Sequence, residues 1–301
     1  MKHRSKSRLA AGEQRYAYAL ITPALLVVLG IIIIPILATI VYTFMNQNVL
    51  SSSVGSFKGL DYYKEVLSSG DFWAALGRTL YFTVASTAIE TICGLMIALL
   101  LNEKFPGVRF LRSIIIIPWA IPTVVNGSLW KLIFNGEYGV FNAILMKLGM
   151  ISSYQSWLGS PKTAMLMVII ADSWKMTPLA VIFFLAALQG INKATYEAAM
   201  VDGAGAFRRF TALTLPYLMP TTMIIVVMRT VEKFKAFDIF YLMTRGGPAN
   251  ATKTLMYETY LQAFTNLNYS TASTYAILSG LIVAGLTLVY VKVMKGSELN
   301  G

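Results

Sequence analysis

The segment from Glu197 to Pro216 reads EAAMVDGAGAFRRFTALTLP and lies between two long apolar runs. Its small and charged residues predict a short helix and a turn that are compatible with water. Alanine and glycine have small side chains, so another protein can approach the backbone closely on the face of the helix where they lie. We expect the carboxylates to lie in the first turns, where the helix dipole favours negative charge. The segment therefore predicts a surface on which another protein docks.

The composition around this segment is that of a membrane protein. Apolar residues make up 56% of the 301 residues, charged residues make up 13%, and the mean hydropathy is +0.62. Soluble domains carry about 25% charged residues. The single cysteine, Cys93, excludes a disulfide within the chain. With one histidine, His3, no cysteine–histidine metal site can form.

Six apolar runs are each long enough to cross the hydrocarbon core of a bilayer, which takes about 20 residues. We therefore predict an all-α, polytopic membrane protein with six transmembrane helices. The first run is too long for the core of a signal peptide, so we expect it to remain as an uncleaved anchor. The predicted spans cover residues 17–45, 76–101, 110–134, 163–189, 214–243 and 273–294.

The distribution of lysine and arginine predicts the orientation of these spans. Both termini and the loops 102–112 and 190–213 together hold thirteen basic residues, whereas the opposite loops hold six. By the positive-inside rule, both termini and the Glu197 segment are cytoplasmic. The net charge of +11 thus reflects topology rather than binding of nucleic acid. The thirteen are Lys2, Arg4, Lys6, Arg8, Arg15, Lys104, Arg109, Arg112, Lys193, Arg208, Arg209, Lys292 and Lys295, and the six are Lys58, Lys64, Lys147, Lys162, Arg245 and Lys253.

The chain is predicted to form a single transmembrane domain with short cytoplasmic ends. Residues 1–16 form a basic N-terminus, residues 17–295 form the domain with its cytoplasmic loop 190–213, and residues 296–301 form a tail. The sequence contains no Gly-x-x-x-x-Gly-Lys-Ser/Thr phosphate loop, so we do not expect the chain to hydrolyse ATP.

The Glu-Ala-Ala triplet, Gly203 and the later Leu-x-Leu-Pro resemble the EAA loop of binding-protein-dependent ABC importer permeases. Residues 234–248, FKAFDIFYLMTRGGP, resemble the segment before the last span in sugar-type permeases, closest to the maltose and glycerol-phosphate branch. Residues 60–63, LDYY, and 117–122, IPWAIP, are further, less specific matches. The likeness covers residues from about 17 to 295 and identifies no particular sugar.

This resemblance implies the fold of a type I ABC importer permease in the cytoplasmic (inner) membrane of a bacterium or archaeon. The chain would form half of a translocation pathway beside a second, homologous permease. Two ATPase subunits, which bind ATP and Mg²⁺, would dock on residues 197–206, and an extracytoplasmic solute-binding protein would deliver the substrate. No cofactor is expected on this chain itself. The residues implied in ATPase coupling are Glu197, Ala198, Ala199, Asp202, Gly203 and Ala204.

Polar residues inside spans are costly and indicate function. In permeases that resemble this chain, residues at similar sequence distances from the EAA glutamate and from the Gly-Gly-Pro turn line the sugar pocket. The resemblance therefore implies that several of these polar residues line a sugar pocket. The candidate substrate-binding residues are Trp119, Thr123, Asp172, Lys175, Met176, Leu179, Arg229, Lys233 and Ala236.

Local pairing is the alternative for the charged candidates. Arg229–Glu232 and Lys235–Asp238 have the i, i+3 spacing at which opposite charges neutralise one another on a helix, as does Asp172–Lys175. Lys233 has no equally obvious local partner. Cations in the pocket would favour an acidic glycan, such as a uronate oligosaccharide or a sugar phosphate, over maltose.

Two other functional classes compete with an ATP-driven importer. An ion-coupled secondary transporter of small polar solutes would often show inverted repeats, and no convincing repeat relates the two halves of this chain. A membrane-embedded enzyme is disfavoured because no His or Cys dyad exists and the intramembrane carboxylates, Glu90, Asp172, Glu232 and Asp238, are scattered.

Overall fold

The computed structural model describes residues 8–298, and this part of the chain is helical without any β-strand. Fifteen α-helices follow one another, interrupted by three π-helical turns at Leu29–Ile33, Phe210–Thr214 and Leu261–Thr265. The first eight α-helices are α1 (Arg8–Val28), α2 (Ile34–Tyr42), α3 (Asp61–Ser68), α4 (Gly70–Asn102), α5 (Val108–Ile114), α6 (Ile117–Ala120), α7 (Thr123–Ile133) and α8 (Val140–Lys147). The others are α9 (Ala164–Gln189), α10 (Lys193–Val201), α11 (Ala206–Arg209), α12 (Leu215–Phe234), α13 (Asp238–Met243), α14 (Leu255–Tyr260) and α15 (Tyr269–Glu298).

The prediction of six membrane-crossing segments is confirmed when one bent pair of helices counts as a single span. Five helices are long and apolar enough to cross a membrane alone. They cover Tyr16–Tyr42, Gly70–Asn102, Ala164–Gln189, Ala206–Phe234 and Tyr269–Lys292. The sixth segment consists of Val108–Ala120 and Thr123–Ile133.

The span predicted over 110–134 is present but sharply bent, because its two halves meet at 95°. The break lies at Ile121, which is extended with φ −72° and ψ 130°. Pro122 explains this, since a proline disfavours helical backbone at the residue before it and lacks an N–H of its own. The bend turns α7 towards the interior of the bundle, where it packs against α9 and α13.

Other predicted bounds also need correction. The span predicted over 214–243 begins at Ala206 and ends at Phe234, so the apolar run beyond it belongs to the separate helix α13. The spans predicted over 17–45 and 273–294 correspond to Tyr16–Tyr42 and Tyr269–Lys292, within helical segments that begin at Arg8 and end at Glu298. The predicted cytoplasmic ends lie partly outside the described residues, which exclude 1–7 and 299–301.

The first span stands apart from the rest of the described chain. Within its apolar window, from Tyr16 to Tyr42, no residue is buried. Its main contact with a distant part of the chain is the packing of α2 against α15. Its apolar surface is therefore available to lipid or to another chain.

Helices α4 and α9 form the central pair of the bundle. Gly94 of α4 lies so close to α9 that an added Cβ would be 2.6 Å from the Cβ of Ala180. Small residues at such crossings let helix backbones approach in a membrane, where packing rather than water drives association.

We expect Gly94→Val to destabilise the bundle by about 1–3 kcal/mol, the usual cost of overpacking a filled interior. Thermal unfolding of the detergent-solubilised protein would report this as a lowered midpoint. Gly280→Val is the matched control, since an added Cβ at this exposed helical glycine of α15 meets nothing within 4 Å. Equal midpoints for the two variants would contradict the close packing of α4 on α9.

Candidate functional site

The segment predicted to couple to an ATPase is an exposed helix followed by a sharp turn. Helix α10, Lys193–Val201, is capped by Asn192, whose side chain accepts a hydrogen bond from the N–H of Ala194. The carboxylates are not in its first turn, contrary to expectation. Glu197 lies in the second turn, and Asp202 is the residue at the C-terminal cap, where the dipole does not favour an anion. Their placement therefore owes nothing to helix stability.

Gly203 ends this helix in the left-handed conformation, with φ +76°. Two hydrogen bonds close the turn: the Gly203 N–H donates to the Met200 carbonyl at 3.1 Å, and the Ala204 N–H donates to the Ala199 carbonyl at 2.9 Å. This pair of bonds is the Schellman motif, which favours glycine because other residues are strained there. An added Cβ at Gly203 would meet no neighbouring atom, so only the backbone conformation constrains the position.

All six predicted coupling residues are accessible. Four are exposed and two are half-buried, and they share one continuous segment on the cytoplasmic side. The exposed residues are Glu197, Ala198, Asp202 and Gly203, and the half-buried ones are Ala199 and Ala204.

Two contacts hold this segment against the base of the fifth span. The hydroxyl of Tyr196 and that of Thr214 form a hydrogen bond between α10 and the π-turn that leads into α12. The Arg209 guanidinium donates to the Ala204 carbonyl at 2.7 Å. The segment predicted to dock is therefore attached to a membrane-spanning helix.

A cavity of about 1220 Å³ lies behind α10. It opens among the cytoplasmic ends of the helices, and its walls include Lys104, Arg109, Tyr196 and Arg209. It lies at the coupling segment and away from the charged residues of the spans, so it is not the predicted sugar pocket.

A second cavity, of about 210 Å³, coincides with the predicted pocket and lies among α7, α9, α12 and α13. Six of the nine candidate residues line it: Thr123, Asp172, Met176, Arg229, Lys233 and Ala236. Five further residues line it that were not among the candidates: Glu232, Lys235, Phe237, Asp238 and Ile239.

Three candidates lie elsewhere. Trp119 belongs to α6, before the 95° bend, and its side chain is 44% exposed. Lys175 is buried on α9, and Leu179 lies one helical turn beyond it on the same helix. The bend explains the displacement of Trp119, because a straight third span would have stacked it one turn from Thr123.

Four buried charged side chains and the partly exposed Glu232 form a network beside this cavity. Glu90 of α4, with 0% exposure, accepts a hydrogen bond from Arg229 Nε at 2.6 Å and one from Lys233 Nζ at 2.6 Å. Arg229 also pairs with Glu232, and Lys233 also pairs with Asp172. Each buried cation thus faces two carboxylates.

This network confirms one predicted pair and corrects two interpretations. Arg229–Glu232 forms as expected, but Asp172 pairs with Lys233 instead of with Lys175. Lys233 lacks a partner on its own helix, yet remote residues neutralise it, so it supplies no unpaired cation for an acidic glycan.

Glu90 is a further residue that was not among the candidates, and it joins the site through its ion pairs. It is the one charged residue between Arg78 and Glu103, in an otherwise uncharged stretch of membrane-spanning helix. An ionised side chain in that setting requires a partner, which was the available signal. The partners could not be assigned because they lie 139 and 143 positions away along the chain.

The cavity is suited to binding a hydroxyl-rich molecule. Carboxylate and ammonium groups at its wall accept from and donate to hydroxyls, and charge-assisted hydrogen bonds of this kind are stronger than neutral ones. Phe237 and Ile239 add apolar surface to the same wall. The Lys233 ammonium also lies 5.2 Å from the centre of the Phe82 ring, which adds a cation–π contact.

The chain is similar to known proteins over most of its length. The family described as "Binding-protein-dependent transport system inner membrane component" matches residues 90–296. The chain is 40% identical over 296 residues to the trehalose/maltose transport system permease protein MalF of Thermococcus litoralis, covering 97% of this chain and 98% of that protein. It is 32% identical over 291 residues to the sulfoquinovosyl glycerol transport system permease protein SmoG of Agrobacterium fabrum, covering 96% and 94%. A crystal structure of a bacterial ABC transporter that imports the acidic polysaccharide alginate contains a chain of similar fold, with a TM-score of 0.82 at 22% identity and coverage of 96% and 99%.

Proposed function

The chain belongs to the binding-protein-dependent transport system inner membrane components, and we propose that it forms half of the pathway through which an ATP-driven importer carries an oligosaccharide. It is a multi-pass protein of the inner membrane. The ATP and Mg²⁺ that drive transport would be bound by partner subunits rather than by this chain.

One observation carries the proposal: a single helical segment joins the docking surface to the cavity. Tyr196 fastens α10 to Thr214, and the helical segment Ala206–Phe234 continues from there to Arg229 and Lys233 at the cavity wall. From Thr214 to Arg229 the helix rises about 22 Å. A displacement of the docking surface is therefore passed to the cavity by a rigid element.

We propose four partners for this arrangement. A second, homologous permease would complete the pathway, and two ATPase subunits would dock on residues 197–206 through the exposed faces of Glu197 and the turn at Gly203. A solute-binding protein would deliver the oligosaccharide at the outer side. A solved alginate transporter was crystallised with its periplasmic binding protein, which supports this last partner by fold likeness.

The mechanism follows from the attachment of α10. Closure of the ATPase dimer would move α10 and, through Tyr196 and Thr214, the base of α12. Since α12 carries Arg229 and Lys233 while α4 carries Glu90, relative movement of the two helices would change the contacts around the cavity. Such differential contacts are what allow a docked partner to shift a two-state equilibrium.

The charge balance points to a neutral rather than an acidic oligosaccharide. Three cations and four carboxylates occupy the wall and its immediate network: Arg229, Lys233 and Lys235 against Glu90, Asp172, Glu232 and Asp238. At the two buried cations, Arg229 and Lys233, an anion would have to displace a carboxylate, whereas hydroxyls can bind there without separating any ion pair.

The test is uptake by proteoliposomes that contain the full complex. We expect neutral oligosaccharide uptake to require ATP inside and binding protein outside, and to persist when protonophores and ionophores collapse all ion gradients. Uptake driven by an ion gradient without ATP would instead support the secondary transporter.

Competition by neutral and uronate trisaccharides tests the substrate class. A neutral trisaccharide is expected to inhibit uptake at concentrations at which the uronate does not. Preferential inhibition by the uronate in the wild type would contradict the charge-balance reasoning while leaving the importer function intact.

A further inference from the structure

Five aromatic side chains of α13, α14 and their flanking turns form a connected row, here called the aromatic ladder: Phe237, Tyr241, Tyr257, Tyr260 and Phe264. Tyr260 is its centre, with its ring centroid 4.6 Å from that of Phe237, 5.2 Å from Phe264 and 5.6 Å from Tyr241. Phe237 is in turn 5.4 Å from Tyr241 and 5.9 Å from Tyr257. These distances lie in the range of ordinary aromatic contacts.

The ladder joins the outer surface to the cavity. Phe237, at one end, is part of the cavity wall. Phe264, at the other end, is 65% exposed. It lies three residues before Leu267, whose carbonyl accepts from the N–H of Val49 just beyond the outer end of the first span. The row of rings therefore leads from the extracytoplasmic side into the proposed substrate pocket.

The exposure of the ladder is unlike that of a packing core. Tyr257 is buried and supports the row, but Tyr241 is 38% exposed and Tyr260 is half-buried. Between two helices that only pack against each other, we would expect aliphatic side chains or buried aromatic rings. Exposed, preordered rings with hydroxyl groups are instead typical of surfaces that bind amphipathic ligands.

The groups around the ladder suit a carbohydrate. Sugar rings have an apolar C–H face that packs on an aromatic ring and hydroxyls that need hydrogen-bond partners. The hydroxyls of Tyr241 and Tyr260 and the amide of the exposed Asn266 are such partners.

The size of the cavity supplies the reason for an additional subsite. At about 210 Å³ it is smaller than the about 300 Å³ at which pockets for small molecules usually begin. Further units of an oligosaccharide held there must therefore lie outside it. The surface that continues from its wall is the ladder.

We propose that the aromatic ladder is a stacking track for the sugar units of an oligosaccharide that extend beyond the cavity towards the outer surface. The inference rests on the proposed function and adds a length preference to it: the pathway favours neutral chains of three or more units. Tyr260 and Phe264 contact the distal units, and Phe237 contacts the unit at the mouth of the cavity.

The experiment compares disaccharides with tetrasaccharides in proteoliposomes that contain the full complex and saturating binding protein. The probes are neutral oligosaccharides of two and four units derived from starch, cellulose, xylan and chitin. We expect Tyr260→Ala and Phe264→Ala each to lower the ratio of tetrasaccharide to disaccharide maximal uptake by about fivefold to tenfold, as expected for the loss of one stacking contact. Tyr260→Phe should retain most of the ratio because it keeps the ring.

The control is Phe57→Ala, which removes an exposed aromatic ring from the outer loop outside the ladder and should leave the ratio unchanged. An unchanged ratio in both ladder variants would overturn the inference while the importer function stands. Loss of complex assembly in Phe264→Ala but not in Phe57→Ala would identify the ladder as a subunit interface and would also overturn it. If the wild-type complex imports none of the probes, the oligosaccharide function itself is wrong, and the ladder fails with it.

Discussion

Replacing Glu90 by alanine is expected to abolish recovery of a folded, monodisperse complex. The substitution leaves Arg229 with one carboxylate partner and Lys233 with one, and it opens a void between α4 and α12. Removing one member of a buried ion network costs about 3–5 kcal/mol, because the remaining charge stays desolvated. Against a total stability of about 5–15 kcal/mol, this loss is decisive. Size-exclusion chromatography and thermal unfolding of the purified complex provide the measurements.

Two further variants separate charge from packing. Glu103→Ala removes an exposed carboxylate at the end of the same helix and should leave the unfolding midpoint unchanged. Replacing Glu90, Asp172, Arg229 and Lys233 together by apolar residues of similar volume should restore much of the stability, because the one charge of the network that remains, Glu232, has a side chain that is 41% exposed. A wild-type midpoint for Glu90→Ala alone would show that the network is not structurally required.

The second large effect is expected at the turn that follows the coupling helix. Gly203→Val places a β-branched residue at φ +76°, which costs about 1–2 kcal/mol and is relieved by reshaping the Schellman turn. Because no atom lies near the added side chain, the membrane-spanning bundle should remain folded. We expect ATP-dependent uptake to fall by about tenfold or more, since the docking surface loses its geometry. Uptake and co-purification of the ATPase subunits are the two measurements.

Gly107→Val is the matched control for this variant. Gly107 has φ +86°, has open space around it and lies in the other cytoplasmic loop, so the substitution imposes the same kind of backbone strain at a turn outside residues 197–206. Retained uptake in Gly107→Val with lost uptake in Gly203→Val would support the docking role. Equal losses in the two variants would mean that backbone strain alone, at any cytoplasmic turn, accounts for the effect.

Features with a local physical cause could be predicted from the sequence. The spans follow from lengths of apolar sequence, the orientation follows from basic flanks, and the Arg229–Glu232 pair follows from helical spacing. The bend at Ile121 could also have been anticipated, since a residue before proline avoids helical backbone. The end of the fifth helix at Phe234 could not be predicted from hydropathy. The sequence stays apolar up to residue 243, and hydropathy does not distinguish one long apolar helix from two short ones.

The composition of the site depended instead on long-range packing. Glu90 and Lys233 meet because α4 and α12 pack side by side, and no spacing rule relates residues so far apart. Without Glu90, Lys233 appeared to be an unpaired cation, which led to the acidic-glycan hypothesis. The candidate residues on α7, α9 and α12 that line the cavity had been predicted from the family likeness. Helical periodicity alone would not have predicted that they lie together.

The network around Glu90 has a consequence for how such permeases can diverge. Asp172, Arg229, Lys233 and Glu90 are mutually compensating, so a change at one of them leaves an excess charge inside the bilayer until another changes as well. The positions are therefore expected to be inherited as a set, with cations and carboxylates gained or lost together. A permease that evolves to carry a different substrate would have to replace these residues in oppositely charged pairs, so that the net charge in the membrane stays the same. We therefore expect the charged set to change more slowly in evolution than the aromatic row.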